Sequence, residues 1–160
     1  LEFRRVLFRS TGGRIRICME RFPKERIFAT YGDGLANVDL RALLKFHEKS
    51  RKLATVTAVR PPARFGHLEI VNNEVVHFGE KNQSDAGWIN GGFFVFESGV
   101  SKYIHALSEP LETGALPRLV RENQLGAYQH HSFWQPMDTL RDKQYLEELW
   151  ASGKAPWKTW

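Results

Sequence analysis

The sequence has little cysteine and no long apolar run. Cys18 is the single cysteine, which excludes an intrachain disulfide framework and a multi-cysteine zinc site. We assign that thiol no function. Because no run of about 18 apolar residues occurs, we expect no membrane-spanning segment, no membrane partner and a cytoplasmic location. The length of 160 residues suits one domain with a real hydrophobic core.

Several patterns that carry chemistry in other proteins are also missing. The pair His130 and His131 has no third ligand at a useful spacing, so no zinc site is predicted. "INGGFF", residues 89–94, matches neither a dinucleotide fingerprint nor a P-loop. No serine, cysteine or histidine constellation indicates covalent catalysis.

The positive charge does not indicate a nucleic-acid partner. The net charge is +5, yet "LEFRRVLFRS", residues 1–10, holds three arginines against Glu2, and the other charges are scattered without a basic stripe. We therefore expect no nucleic acid. These ten residues resemble translated adapter sequence, and we treat them as an extraneous lead-in to a domain of residues 11–160. A native basic strand is the alternative.

The first half of the chain has the pattern of a βαβ unit. "RIFATYG", residues 26–32, and "KLATVTAVRP", residues 52–61, are β-rich apolar runs, and Asn37 or Asp39 can cap the helix between them. Residues 26–61 therefore predict two strands of a parallel, buried sheet with a right-handed crossover. Residues 15–22 favour a short helix.

The second half continues the mixture of strands and helices. A hairpin is predicted around Asn72 and Asn73, which tolerate the left-handed conformation of a tight turn. The remaining predictions are a strand at 88–98, a helix at 99–107 capped by Ser98, a helix at 116–123, an extended segment at 125–136 and a helix opened by a capping box of Thr139 and Asp142. No repeat and no interior domain boundary are found.

Asp33 is the first candidate functional residue. It stands where a strand should end, and ligands of open α/β sheets bind beyond the carboxyl ends of the strands. Without a Cβ, Gly32 and Gly34 let the backbone turn sharply and a bulky anion approach. A carboxylate would repel a triphosphate unless Mg²⁺ lay between them. The alternative is an ordinary Gly-Asp-Gly turn.

Three further positions could act on a phosphorylated substrate. Asp138 could be a second metal carboxylate, or an acidic residue that stabilises the start of a helix. Lys81 suits a phosphate contact, or forms a surface pair with Glu80. Asn90 can bond to hydroxyls beside a glycine pair, which could allow a sugar to approach or form a bulge.

The glycines at the start of the predicted domain, residues 11–160, are a separate candidate. "TGGR", residues 11–14, could form a glycine turn whose amides and Arg14 face an anion. The alternative is a loop followed by an exposed arginine. Spacing does not decide between the two.

Taken together, the motifs are more specific than any one of them. "TGGR", "FATYGDGLANVDL", "PPARFGHLEI", "FGEKNQ", "INGGFFVF" and "FWQPMDTLRDKQYLEELWASGKAPWKTW" occur in this order. In that order and wording the chain resembles the sugar-nucleotide pyrophosphorylases, and among them the glucose-1-phosphate cytidylyltransferases. The resemblance covers residues 11–160. It implies an α/β, Rossmann-like nucleotidyltransferase fold, with a mixed, mostly parallel sheet and flanking helices.

The resemblance also implies a reaction and a set of site residues. The reaction converts CTP and glucose 1-phosphate to CDP-glucose and pyrophosphate, for the 3,6-dideoxyhexoses of surface polysaccharides, in a protein expected to be a homo-oligomer. Asp33 and Asp138 look like the two Mg²⁺ carboxylates. Together with Lys81 they look like the catalytic residues. The implied substrate contacts are Thr11, Arg14, Gly32, Lys81 and Asn90.

The sequence also departs from the family pattern. The strand and "GGxGTR" loop that grip the triphosphate are absent, so we expect a carboxyl-terminal fragment, lacking the amino-terminal βαβ portion and inactive by itself. Asn82 replaces a usual proline and Ser132 a frequent glycine. The alternatives are a pyrophosphorylase of other base or sugar preference, and a non-catalytic sugar-nucleotide or nucleic-acid binding module.

Overall fold

A computed structural model describes the backbone of residues 10–62, 66–80 and 87–159, and the side chains of 10–62, 70–76 and 87–159. Helices and strands are interspersed along the described chain. In chain order the elements are α1 (Thr11–Arg21), β1 (Ile27–Thr30), β2 (Gly34–Ala36), α2 (Leu40–Ser50), β3 (Ala54–Val59), β4 (Gly66–Val71), β5 (Glu74–Glu80), β6 (Ile89–Phe96), a 3₁₀-helix (Ser98–Tyr103), α3 (Ala115–Arg121), β7 (Leu125–Gln129), β8 (Trp134–Pro136) and α4 (Leu140–Ala151).

The main sheet has four described strands in the order β1-β6-β3-β7. β1 pairs with β6 antiparallel. β3 and β7 run parallel, because Ala54 N donates to Gln124 O at one end while His130 N donates to Ala58 O at the other. The predicted α/β class is confirmed, with a mixed sheet.

The predicted βαβ unit is only partly correct. Its two strands and its helix form, and the Asp39 carboxylate caps α2 by accepting from Arg41 N and Ala42 N. However, β6 lies between β1 and β3 in the sheet, and β1 alternates between half-buried and exposed residues instead of being buried throughout. Hydrophobic period identifies a strand, whereas its neighbours depend on contacts distant in sequence.

The predicted glycine turn at residues 11–14 is wrong, because these residues form the first turn of α1. Ser10 Oγ accepts from Gly13 N and caps this helix. Gly12 and Gly13 are buried, and a Cβ at either position would overlap a backbone carbonyl oxygen of the 107–109 segment. The glycines therefore allow a helix to pack directly against another stretch of main chain.

The contacts divide the chain into two compact units. The described residues of the first unit are 10–31, 39–57 and 92–128, and this unit contains the main hydrophobic core. Within it, buried His47 contacts Thr55 Oγ1 at 2.8 Å and Glu97 Oε1 at 3.1 Å. The core residues are Met19, Ala54, Phe94, Phe96, Val100, Ile104, Leu111, Ala115 and Leu119.

The described residues of the second unit are 32–38, 58–62, 66–80, 87–91 and 129–159. It holds two antiparallel pairs, β2 with β8 and β4 with β5. The predicted hairpin is confirmed, since Asn72 and Asn73 both have positive φ, at 51° and 66°. The predicted capping box of Thr139 and Asp142 is also confirmed.

Two element predictions need correction. The predicted helix at 99–107 is a 3₁₀-helix that ends at Tyr103, and Glu97, not Ser98, occupies its cap position. The extended segment at 125–136 consists of the two separate strands β7 and β8, which belong to different sheets. Within the described residues, no helix is long and apolar enough to cross a membrane.

Candidate active site

Asp33 lies in the turn that joins β1 to β2, and its side chain is exposed. The sharp turn that the sequence suggested does not depend on glycine conformation, because neither Gly32 nor Gly34 has a positive φ angle. A Cβ at Gly32 would nevertheless meet no described atom within 4 Å. This side of the turn is therefore open to a ligand.

The pairing of β2 with β8 brings Asp138 close to Asp33. Gly34 is opposite Pro136 in this ribbon. One residue further, Met137 N donates to Asp33 O at 2.7 Å. Asp138 follows Met137 directly, so two carboxylates that are distant in sequence are attached to neighbouring points of one hydrogen-bonded ribbon.

The helix that follows does not use Asp138 as its cap. Thr139 is the N-cap of α4, and Thr139 Oγ1 accepts from Asp142 N at 3.1 Å. The Asp142 carboxylate returns to Thr139 N at 3.0 Å. Thr139 and Asp142 therefore cap α4, and Asp138 stands one residue before the cap.

Two residues of β8 support this arrangement, and the sequence analysis did not single them out. Trp134 Nε1 donates to Gly91 O at 2.9 Å. Gln135 is almost completely buried, and its Nε2 donates to Asp142 Oδ1 at 2.9 Å. The signal available in the sequence was the run "FWQPMD", in which Gln135 stands between Trp134 and Pro136 in a short strand.

Ser132 takes part in the same ribbon. Asn37 Nδ2 donates to Ser132 Oγ at 2.9 Å, and Asn37 N donates to Phe133 O at 3.3 Å. The serine in place of a glycine therefore adds a side-chain bond at the end of the pairing between β2 and β8.

Asn90 is exposed at the beginning of β6. Next to it, Gly91 supplies the carbonyl that Trp134 binds. Gly92 has a φ of 78°, and a Cβ there would come within 2.9 Å of the Tyr31 ring. Backbone conformation and packing therefore account for Gly92 without a sugar.

The other predicted residues are not brought into this ribbon by any described contact. Thr11 belongs to the first compact unit, where its Oγ1 accepts from Leu111 N at 3.0 Å and donates to Glu112 Oε2 at 3.1 Å. Arg14 is exposed on α1 of the same unit. Lys81 and Asn82 lie outside the described residues.

The donor set suits a hard divalent cation. Asp33 and Asp138 are exposed and supply carboxylate oxygens, the ligands that Mg²⁺ prefers, and Mg²⁺ commonly takes its other ligands from water and substrate phosphates. Within the described part of the chain, no three His, Cys, Asp or Glu residues form a closed metal cage. The two exposed aspartates therefore offer oxygen ligands of the kind that Mg²⁺ binds together with water and phosphates.

Comparison with known proteins agrees with this fold. The family model described as Nucleotidyl transferase matches residues 14–147. The chain belongs to the nucleotidyl transferase family. A crystal structure of HddC from Yersinia pseudotuberculosis shares the nucleotidyl transferase fold, with a TM-score of 0.58 and 20% identity over 88% of this chain and 62% of that one.

Two relatives of this nucleotidyl transferase are more similar in sequence. Glucose-1-phosphate cytidylyltransferase of Salmonella typhi is 48% identical over 151 residues. A Bacillus subtilis (strain 168) protein named probable glucose-1-phosphate cytidylyltransferase is 35% identical over 151 residues. In both comparisons 94% of this chain is aligned, and it spans 59% of the relative's length.

Proposed function

We propose that the whole protein to which this chain belongs transfers a cytidylyl group from CTP to glucose 1-phosphate, giving CDP-glucose and pyrophosphate. The observation that carries the proposal is the 48% identity to the Salmonella typhi glucose-1-phosphate cytidylyltransferase across almost all of this chain. The carboxylates of Asp33 and Asp138 on one ribbon support the proposal, because they suit a metal ion that neutralises the phosphates of such substrates.

The reaction needs alignment of two anions more than it needs a protein nucleophile. A sugar-phosphate oxygen attacks the α-phosphorus in line while pyrophosphate leaves. Asp33 and Asp138 would hold Mg²⁺. When bound, this ion would neutralise part of the negative charge on the phosphates. The open side of Gly32 leaves room for the phosphates beside these carboxylates.

The remaining predicted residues would bind and orient the substrates. Arg14 and Lys81 would provide fixed positive charge toward the phosphates. Asn90, exposed at the beginning of β6, would hydrogen-bond sugar hydroxyls. Thr11 lies in the first turn of α1, three residues before Arg14, and would also contact the substrate.

The wider setting is also part of the proposal. We propose a cytoplasmic homo-oligomer in the synthesis of surface polysaccharide sugars, with no nucleic-acid or membrane partner. Size-exclusion chromatography with light scattering on the full-length gene product measures the assembly. A monomer at micromolar concentration would contradict the oligomeric part alone.

The decisive experiment uses the full-length product of the gene that encodes this chain. CTP, UTP, GTP and dTTP are each supplied with glucose 1-phosphate and Mg²⁺, and pyrophosphate release is followed together with the sugar nucleotide formed. We expect CDP-glucose. Selective use of another nucleotide would instead indicate a pyrophosphorylase of different base preference, and absence of turnover with all four would favour a binding module.

Replacement of the aspartates tests the site itself. Asp33→Asn and Asp138→Asn should each lower kcat by about a hundredfold or more, because the charge that neutralises the reacting phosphates is no longer held. Asp39→Asn is the matched control, since asparagine caps a helix as well as aspartate does. Broadening of amide signals by Mn²⁺ in the 160-residue chain gives a readout independent of turnover. If both site variants keep full activity, the assignment is refuted.

A further inference from the structure

A cavity lies entirely within the first compact unit, between the 3₁₀-helix and α3. Its volume is about 470 Å³, which is within the usual range for small-molecule sites. Basic side chains dominate its lining. The lining residues are Lys102, Tyr103, His105, Arg118, Arg121 and Glu122.

One of the basic residues is held in place by the protein itself. Arg118 Nη2 forms an ion pair with Glu109 Oε1, and Arg118 Nη1 donates to Tyr103 O at 2.6 Å. Glu109 also accepts from His105 N at 2.9 Å. This bonding fixes one wall of the cavity, and it leaves the charge of Arg118 compensated by Glu109.

The other two cationic residues are not compensated in this way. Within the part of the chain that the structure describes, Lys102 and Arg121 form no ion pair, and both are exposed. The carboxylate that lines the cavity, Glu122, accepts a hydrogen bond from the Tyr103 hydroxyl. Among the described residues, the Lys102 ammonium and the Arg121 guanidinium therefore stand at the cavity outside any ion pair, although the Glu122 carboxylate shares its lining.

We propose that this cavity binds the phosphate group of a small phosphorylated metabolite, through Lys102 and Arg121. Arginine presents a planar fork that matches phosphate oxygens, and lysine adds a compact point charge. The His105 ring lies at the same cavity and is available to the polar remainder of the ligand. The proposal rests on residues 102–122 and is independent of the function proposed for Asp33 and Asp138.

The test is a titration of the isotope-labelled 160-residue chain with pyrophosphate, inorganic phosphate and glucose 1-phosphate at constant ionic strength, followed by amide NMR. We expect saturable shifts at residues 102–105 and 118–122. The double variant Lys102→Ala/Arg121→Ala should bind at least about tenfold more weakly, because each charged hydrogen bond lost costs roughly that factor. Which probe binds most tightly distinguishes a free polyphosphate from a sugar phosphate.

The matched control removes the same charge elsewhere in the first unit. Lys45→Ala/Lys49→Ala changes two exposed lysines of α2 and should leave the affinity unchanged. The single variant Arg121→Lys keeps the charge but loses the fork, and it should give an intermediate affinity while circular dichroism stays that of the parent. Shifts confined to other residues, or equal weakening in the control, would overturn the proposal.

Discussion

Gly13→Ala is the sharpest test of how the first unit is packed. In an exposed helix this change is stabilising by about 1 kcal/mol, because alanine has the higher helix propensity. Here Gly13 is in the first turn of α1, and its Cβ would lie well inside 3.0 Å of Leu107 O, a separation that real Cβ atoms essentially never show. The obstacle is main chain and cannot rotate away.

The expected cost follows from these opposing effects. Overpacking against a closely packed neighbour costs about 1–3 kcal/mol, and contact with backbone belongs at the upper end of that range. After the gain in propensity, Gly13→Ala should lower the free energy of unfolding by about 1–2 kcal/mol. At a slope near 2 kcal/mol/M, the urea midpoint should fall by about 0.5–1 M.

The measurement is urea unfolding of the 160-residue chain, followed by circular dichroism at 222 nm. Gly87→Ala is the control, because a Cβ at that exposed position meets no described atom within 4 Å and the midpoint should hardly move. A Gly13→Ala variant as stable as the parent would refute the reasoning. It would mean that α1 does not approach the 107–109 segment as closely as described.

Two further predictions concern stability. Trp134→Phe removes the hydrogen bond to Gly91 O and should lower the free energy of unfolding by about 1 kcal/mol in urea unfolding; no change would exclude that bond as a support of β8. The Arg118 guanidinium lowers the pKa of Glu109 from 4.5 to about 2. Because the pKa of Glu109 is lower in the folded protein, its ionised form stabilises the fold at pH values above the ordinary carboxyl pKa. This stabilisation is lost as the pH falls toward 2. Thermal unfolding from pH 5 to 2 should therefore show a shallower pH dependence in Glu109→Gln, and an unchanged slope would contradict the ion pair.

Predictions from local signals agreed best with the structure. The capping box of Thr139 and Asp142 and the Asn72–Asn73 turn depend on residues within three positions of each other, so the sequence carries their whole cause. The turn predicted at Gly12 and Gly13 failed for the opposite reason. Its outcome depends on the backbone of residues 107–109, which no local pattern encodes.

The candidate site shows the same limit. Spacing gave no reason to associate Asp33 with Asp138, and resemblance to known enzymes suggested the pair. The structure adds a physical link, the bond from Met137 N to Asp33 O. The contribution of Trp134 was missed because a half-buried ring in a short strand gives the same sequence pattern whether it packs on a core or donates to a neighbouring carbonyl.

The pairing of β2 with β8 also has a consequence for the order of folding. The bond between Asp33 and Met137 closes a loop of roughly a hundred residues. Closing a long loop costs entropy before the contacts that it allows can offset that cost. During synthesis, Asp33 leaves the ribosome long before its partner strand exists. The two carboxylates can therefore meet only after β8 has been made, so a cation held between them would bind the finished ribbon and resist its opening.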